Sequence, residues 1–363
     1  MDSLNVLALN SGSSSLKFGL YRVDNAGAEK LFGESVSTAE HADAMTQVAG
    51  VLAASGVPPP DAIGHRIVHG GPALRKHCRI DDAVLRQLQA AAVFAPLHAP
   101  ATLALIRFAQ VHFPGVPQVA CFDTQFHAGL PDVARVLPIA RELQSEGIQR
   151  YGFHGLSLES IVRQLGDAPP QRLVIAHLGN GASITAVESG RSIDTSMGLT
   201  PSGGVIMGTR SGDLDPGVLV YLMREKELDA ARLEALVDQR SGLLGISGLS
   251  GDMRRLHEAA ASNRHARLAI DIFCHSVRKQ VAAMGAVLGG LDMLVFTGGI
   301  GENDAQVRAQ ICAGVSWIGI SLDESRNLAA SNPLSDGTSR CQVLVLASQE
   351  DEQIARHAWA LLA

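Results

Sequence analysis

One pattern occurs twice in this chain and leaves little freedom of architecture. Residues 5–10 alternate as a strand, the Ser-Gly-Ser-Ser-Ser of 11–15 is a polar turn, and 16–23 form a second strand in which Leu16, Phe18 and Leu20 alternate with Lys17 and Gly19. A turn at 24–27 leads to a third strand at 30–36. Residues 173–193 repeat the arrangement: an apolar run at 173–178, Gly179-Asn180-Gly181, a strand at 182–188, a turn at Ser189-Gly190, and a return through 191–193. Asn-Gly between two apolar segments is a strong hairpin signal, so Asn180 and Gly181 belong at a tight turn. A meander that opens each half implies a duplicated α/β fold with a phosphate loop from each copy and the active site in the cleft between the halves.

The chemistry-bearing groups cluster on the loops. Glycine at a turn lets backbone amides approach phosphate oxygens with no Cβ in the way. After the second meander come Asp194, Thr195, a loop of small residues, and Gly208-Thr209-Arg210-Ser211-Gly212-Asp213. Glycines, hydroxyls, one arginine and several carboxylates are what phosphate and a divalent metal require. Helices are expected at 39–55, 81–92, 101–112, 228–239, 265–288 and from Glu350, with further strands at 62–69, 118–122, 292–296 and 341–347. The strand at 118–122 ends at Asp123, a good place for a site in an α/β protein. The strand at 292–296 runs into Thr297-Gly298-Gly299-Ile300-Gly301-Glu302-Asn303, a glycine-rich entry to a helix that suits a nucleotide.

Length and charge narrow the class. A chain of 363 residues points to two domains, and 46% hydrophobic with 18% charged residues is ordinary globular composition. A net charge of −6 argues against nucleic acid as a partner. The five cysteines are odd in number, scattered and without a CxxC pair, which suits reduced thiols packed in a cytoplasmic protein. No signal-peptide pattern and no uncharged apolar run of membrane-spanning length is present, so the reading is a soluble, cytoplasmic protein with no membrane partner. There is no G-x-x-x-x-G-K-[ST], no H-E-x-x-H beside His65 and His69, no G-x-S-x-G, and Arg224 stands where an EF-hand needs its bidentate Glu. A P-loop NTPase, a zinc site and a serine hydrolase are therefore not expected.

In order along the chain, LNSGSSSLKF at 9–18, GHRIVHGG at 64–71, APLHAP at 95–100, FDTQFH at 122–127, RYGFHGLS at 150–157, HLGNG at 177–181, DTSMGLTP at 194–201, MGTRSGDLDPG at 207–217 and FTGGIGEN at 296–303 resemble the acetate kinase family. The resemblance spans essentially the whole chain. It implies two RNase H-like domains of the acetate and sugar kinase, heat-shock chaperone and actin superfamily, with residues 1–123 and about 351–363 in one domain and 124–350 in the other. It implies ATP-dependent, reversible phosphorylation of a short-chain carboxylate, giving acetyl phosphate and ADP from acetate and ATP with Mg²⁺ (or Mn²⁺), in a homodimer. By the same resemblance Asn10 and Glu350 hold the metal, while Ser13, Ser15 and Lys17 form the first phosphate loop. His177, Leu178, Gly179, Asn180 and Gly181 contact the ATP phosphates. Asp252, Met253 and Arg254, with Gly299, Ile300, Gly301, Glu302 and Asn303, hold the adenosine. Arg66 binds the substrate carboxylate, Val68, Leu97, Phe153 and Pro201 line the acyl pocket, Asp123 is the active-site acid, and His154 with Arg210 stabilises the transferring phosphoryl group.

These residue types suit that chemistry. A carboxylate attacking ATP brings two anions together, so positioning and charge neutralisation dominate. Arg66, Arg210, His154 and the metal answer that need, and a carboxylate acceptor titrating near pH ~4 is already ionised, so no general base is required. Asp123 is accordingly expected to orient the metal or its waters. Plainer readings stand beside these: Gly-Asn-Gly as a bare turn, His65 and His69 as satisfied strand histidines, Ser13 and Ser15 as turn formers, Asp351 and Glu352 as solvated charge at a helix start. The family pattern is broken at Ala99, Leu156, Leu158, Ser202, Gly203 and Gln349, which bears on substrate range, acetate against propionate or butyrate included. Two non-enzymatic alternatives are an actin-like or chaperone-like nucleotide switch and a weakly catalytic binding protein.

Overall fold

The computed structural model describes residues 3–11, 15–37, 41–95 and 99–363. Ser13 and Leu97 lie outside the described residues, as does the side chain of Ser15. The chain forms two compact units: residues 1–128, 153–160 and 349–363 make the first, and 129–152 with 161–348 the second. The first unit thus takes in 124–128, 153–160 and 349–350 beside the expected 1–123 and about 351–363.

In the first unit, β1 (Leu4–Ser11), β2 (Ser15–Asp24) and β3 (Gly27–Ser37) make the antiparallel meander, and β4 (Ala62–Ile67) and β6 (Gln118–Phe122) extend it in parallel from β1. A two-residue strand, β5 (Cys78–Arg79), closes the edge against β6, giving the order β3-β2-β1-β4-β6-β5. The alternation that predicts strands also divides the core between two faces. Leu7, Leu9, Leu16, Phe18 and Leu20 pack with Val48, Leu52, Leu105 and Ala109 from the helices His41–Ser55 and Ala99–His112. Val6, Ala8, Tyr21 and Val23 pack on the other face with Leu156 and with Ile354, Ala355 and Ala358 of the helix Glu350–Leu362.

The second unit repeats the scheme with β7 (Arg172–Leu178), β8 (Ala182–Glu188), β9 (Arg191–Thr195), β10 (Met293–Thr297) and β11 (Gln342–Val345), in the order β11-β10-β7-β8-β9. Again the meander is antiparallel and the last two strands run parallel to the first. The repetition reaches the irregularities. The β2–β3 pairing slips between Leu20 and Tyr21, and the β8–β9 pairing between Ala186 and Val187. Counting back three residues from each slip gives Lys17 opposite Asn10 and Ser183 opposite His177, so Asn10 and His177 hold the same place in the two copies. The long helix Arg264–Val287 lays Ala266, Ala269, Ile270, Phe273, Val277, Val281 and Met284 inward, the spacing of one apolar stripe, and packs on β7 and β8. Cys121, Cys274, Cys312 and Cys341 are buried free thiols, and Cys78 is half-buried. Among the described residues no helix is long and apolar enough to cross a membrane.

Candidate functional site

In the first unit the polar residues gather where the parallel strands end. Strand carbon ends are the natural location, because the pleat stops there and loops can turn side chains across the edge. Asn10, near the end of β1, is buried; its amide donates to Glu350 Oε2 at 2.9 Å and to Asp351 Oδ1 at 2.8 Å, and its Oδ1 accepts from Arg66 Nη1 at 3.1 Å. Arg66 on β4 donates through Nε and Nη2 to Asp123 Oδ2 at 2.9 and 2.7 Å, and its Nη1 is 3.9 Å from Glu350 Oε2. Four of the expected residues, Asn10, Arg66, Asp123 and Glu350, are therefore one network.

Asp123 is the most deeply buried charged member of that network. It is 1% exposed, and its Oδ1 has no hydrogen-bond partner among the described atoms. Burial raises it above the ordinary carboxylate range, Arg66 pulls it back, and the nearby Glu350 and Glu159 charges push it up again. A buried carboxylate oxygen left bare, beside the amide oxygen of Asn10 and a second carboxylate, is a set of hard oxygen donors of the kind Mg²⁺ takes. The residues present fit the ion. Asp351 belongs to this cluster too, since it accepts from Asn10 and burial raises it above its usual range. Glu352 accepts from Arg356 at 2.8 Å. The reading of Asp351 and Glu352 as solvated charge is thus corrected; their helix packs on the sheet face, which draws its first turn against Asn10.

His154 is held directly behind Asp123. It has φ 61°, a left-handed conformation that costs a non-glycine residue of order 1 kcal/mol or more and marks functional positions. The next residue, Gly155, donates its N–H to Asp123 O at 2.8 Å, and a Cβ there would lie 2.2 Å from that oxygen. Only glycine permits the approach. Phe153 O accepts from His127 Nε2 at 3.0 Å, so residues on both sides of His154 are fixed. Val68 borders a small apolar cavity with Leu88, Ala95, Ala99, Thr102 and Leu103. Phe153 meets His69 edge-on with ring centroids 5.5 Å apart. His65 is bonded through Nε2 to Gln118 Oε1 at 2.7 Å but leaves Nδ1 buried without a partner among the described atoms, while His69 accepts from Gly71 N–H at 2.8 Å. Leu156 and Leu158, where the family pattern is polar, are fully buried. Lys17 stands opposite Asn10 on β2.

In the second unit, close backbone approaches gather the expected nucleotide residues. His177 and Leu178 close β7, and the turn at 179–181 is bridged by Gly179 N–H to Gly181 O at 2.9 Å. Asn180 O accepts from Gly208 N–H at 3.1 Å. A Cβ on Gly208 would lie 2.4 Å from Asn180 Oδ1, one on Gly251 2.7 Å from Gly208 O, and one on Gly298 2.7 Å from Leu178 O. These glycines bring together the turn 177–181, the loop before Arg210, the segment 252–254 and the helix Gly298–Asn303. Arg210 donates to Pro201 O at 2.9 Å. Asp252 caps the helix Met253–Ala259 and pairs with the exposed Arg254 at 2.7 Å, while the Met253 side chain is buried in the core. Glu302 Oε1 accepts from Gly298 N–H at 3.0 Å and Ser348 N–H at 2.9 Å, so this carboxylate fastens the glycine turn. Asn303 Nδ2 donates to Gly299 O at 2.9 Å.

Comparison with known proteins agrees with this arrangement. The Acetokinase family model matches residues 25–356. A relative described as acetate kinase in Methylocella silvestris is 42% identical over 397 aligned positions, covering 98% of this chain and 98% of that protein. Among solved structures, a propionate kinase from Francisella tularensis superposes with a TM-score of 0.89 at 36% identity over 100% of both chains. An acetate kinase from Porphyromonas gingivalis does so with a TM-score of 0.85 at 34% identity over 99% of this chain and 100% of its own. With matches of this length, and a duplicated sheet whose strand ends carry the family's motifs in order, the chain belongs to the acetokinase family.

Proposed function

We propose that this protein is an acetate kinase, transferring the γ-phosphoryl group of ATP to acetate reversibly and in line. The observation that carries the reading is the network of Asn10, Arg66, Asp123 and Glu350, in which a guanidinium faces an oxygen-rich cluster with one bare carboxylate oxygen. Asn10 and Glu350 would hold Mg²⁺, with Asp123 Oδ1 turned to it or to one of its waters. The ion, when bound, neutralises charge on the phosphate oxygens.

The chain's own residues account for the remainder. Arg66 has five N–H donors, and the bonds to Asp123 and Asn10 leave it able to receive the acetate carboxylate in its planar fork. No side chain has to remove a proton, because acetate is ionised at neutral pH. Arg210 and His154 would stabilise charge on the transferring group. The turn 177–181 would hold the ATP phosphates through backbone amides, and 252–254 with 299–303 the adenosine; for Met253 that contact is through its backbone, since its side chain is core. Ser13, Ser15, Lys17, Leu97 and Pro201 keep the roles the family resemblance gives them. The protein would act as a cytoplasmic homodimer of duplicated RNase H-like domains, with Mn²⁺ able to serve in place of Mg²⁺.

The propionate reading has its own support: the Francisella tularensis structure is that of a propionate kinase, and Ala99 and Val68 border an apolar cavity. The deciding experiment is ATP- and Mg²⁺-dependent acyl phosphate formation, trapped as the hydroxamate, with acetate, propionate and butyrate compared by kcat/KM. Acetate leading supports the proposal, propionate leading supports the second reading, and ATP hydrolysis indifferent to any acid would return the nucleotide-switch alternative. A pocket can discriminate one methylene by only about 1–3 kcal/mol, so the three acids are expected to differ by roughly 10- to 200-fold.

A further inference from the structure

Outside the residues considered so far, three titratable groups meet below the site. Glu159 lies on the helix Gly155–Gln164; its Oε2 accepts from His357 Nε2 at 2.5 Å, and His77 Nε2 is 3.8 Å from the same oxygen. The imidazole centroids are 4.0 Å apart, and His77 Nε2 is buried with no hydrogen-bond partner among the described atoms. A histidine pair around a carboxylate is also the donor set of a zinc centre. The backbone decides against that use. Phe122 N–H donates to His77 Nδ1 at 2.9 Å, so the neutral ring carries its proton on Nε2, the atom a metal would need bare. His357 Nε2 faces Glu159 Oε2 and, at 3.0 Å, the Gln353 amide nitrogen, and it carries the proton in the tautomer that donates to the carboxylate. Both Nε2 atoms therefore face one carboxylate oxygen, His357 in a hydrogen bond and His77 at 3.8 Å without one. Burial pushes Glu159 up, but the hydrogen bond from His357 and the neighbouring His77 imidazole prevail and hold it at about 2.

Each member sits on a different segment, and each segment presents a residue of the site. His77 grips Phe122, one position before Asp123. Glu159 is on the helix that begins immediately after His154, and that helix start is bonded to Asp123 O through Gly155 N–H at 2.8 Å. His357 is on the helix whose first residue, Glu350, accepts from Asn10 at 2.9 Å. We propose that Glu159 is a positioning residue for phosphoryl transfer: bonded to His357 and packed beside His77, whose ring lies against that of His357, it holds together the three segments that present Asp123, His154 and Glu350. The inference rests on the phosphoryl-transfer reading. It needs no ligand at the cluster itself.

The test uses the full chain with Glu159→Gln and, separately, His357→Ala. Glutamine keeps the shape and one oxygen but removes the charge that both imidazoles face, while His357→Ala removes only the tie to the last helix; either variant suffices if the other does not fold. Measured are kcat, KM for ATP and acetate, Mn²⁺ affinity by electron paramagnetic resonance titration, and Tm. The expected result is a folded protein with about tenfold lower kcat and about fivefold weaker Mn²⁺ binding, a size in keeping with a sub-ångström displacement of the site, while KM for ATP changes by less than about twofold. The double variant should be no worse than the poorer single one, since both cut one connection. A lowered Tm with unchanged kinetics and unchanged Mn²⁺ binding makes the cluster merely structural and overturns the proposal. So does stoichiometric zinc in the unaltered protein that is lost in Glu159→Gln. Absence of acid-dependent turnover in the unaltered chain overturns the function reading, and this inference with it.

Discussion

Arg66 and Asp123 depend on each other in a way that separates their variants. Arg66 is 15% exposed at its side chain and Asp123 1%, so removing the guanidinium leaves a buried carboxylate with nothing to offset it. Arg66→Ala is expected to destabilise the first unit by about 3 kcal/mol or more, read by urea unfolding, in addition to abolishing acetate binding. Asp123→Asn keeps shape and a hydrogen-bond acceptor for Arg66, so the fold should survive. If Asp123 orients the ion, that variant raises the Mg²⁺ concentration needed for half-maximal rate; loss of turnover with unchanged Mg²⁺ dependence would remove Asp123 from that role. Arg210→Ala should cost on the order of 10³-fold in kcat, as expected for a guanidinium that meets charge developing on a phosphoryl group, and a near-normal kcat would dismiss the assignment. His65 gives a prediction of opposite character. Burial lowers it from 6.5 to about 4, so below pH ~6.5 the unfolded chain binds a proton that the folded chain refuses. Its contribution is present at pH 7 and is lost as pH falls toward 4. Unfolding free energy should drop by about 2 kcal/mol between pH 7 and 5 on this account, and His65→Gln should flatten that part of the profile.

At the scale of elements, glycines decide which loops can meet. Gly155 allows the helix behind His154 to start on the Asp123 carbonyl, and a methyl group there cannot be accommodated by rotating a side chain because the obstacle is backbone. Gly155→Ala should displace His154 relative to Asp123 and lower kcat by 10²-fold or so, the size expected for an ångström of misplacement. Gly298 has φ +78° and sits against Leu178 O, so Gly298→Ala combines left-handed strain with a clash. Its effect belongs to the second unit: a raised KM for ATP and a destabilisation of about 1–3 kcal/mol, with KM for acetate little changed. A Gly298→Ala protein that bound ATP normally would detach this turn from nucleotide binding. The cluster of Glu159, His77 and His357 is the counterpart in the first unit, where side chains rather than glycines join the elements.

At the scale of the molecule, the C-terminal helix Glu350–Leu362 returns to the first unit and covers one face of its sheet with Ile354, Ala355 and Ala358. A chain ending at residue 349 should lose the fold of the first unit, detected as loss of cooperative unfolding, because Val6, Ala8, Tyr21 and Val23 would keep little beyond Leu156 to cover them on that face. Much of this was legible in the residues alone. Strand and helix periods, the Asn-Gly turn and the repeated meander follow from local sterics and alternation, and the matching sheet order and paired slips show how far the repeat extends. The short strand Cys78–Arg79 was not legible, since two residues carry no period, nor were short helices such as Pro216–Glu225 and Met253–Ala259. The motifs also named Asn10, Arg66, Asp123 and Glu350, because charge and oxygen donors of those types suit the chemistry wherever they lie. That Asp351 joins them, that Met253 is core, that Glu302 spends its carboxylate on a turn, and that His77, Glu159 and His357 converge were decided only by tertiary structure. The physical reason is the range of the interactions: periodicity and turn chemistry act over a few residues, whereas burial and hydrogen bonding depend on which distant segments the fold sets side by side.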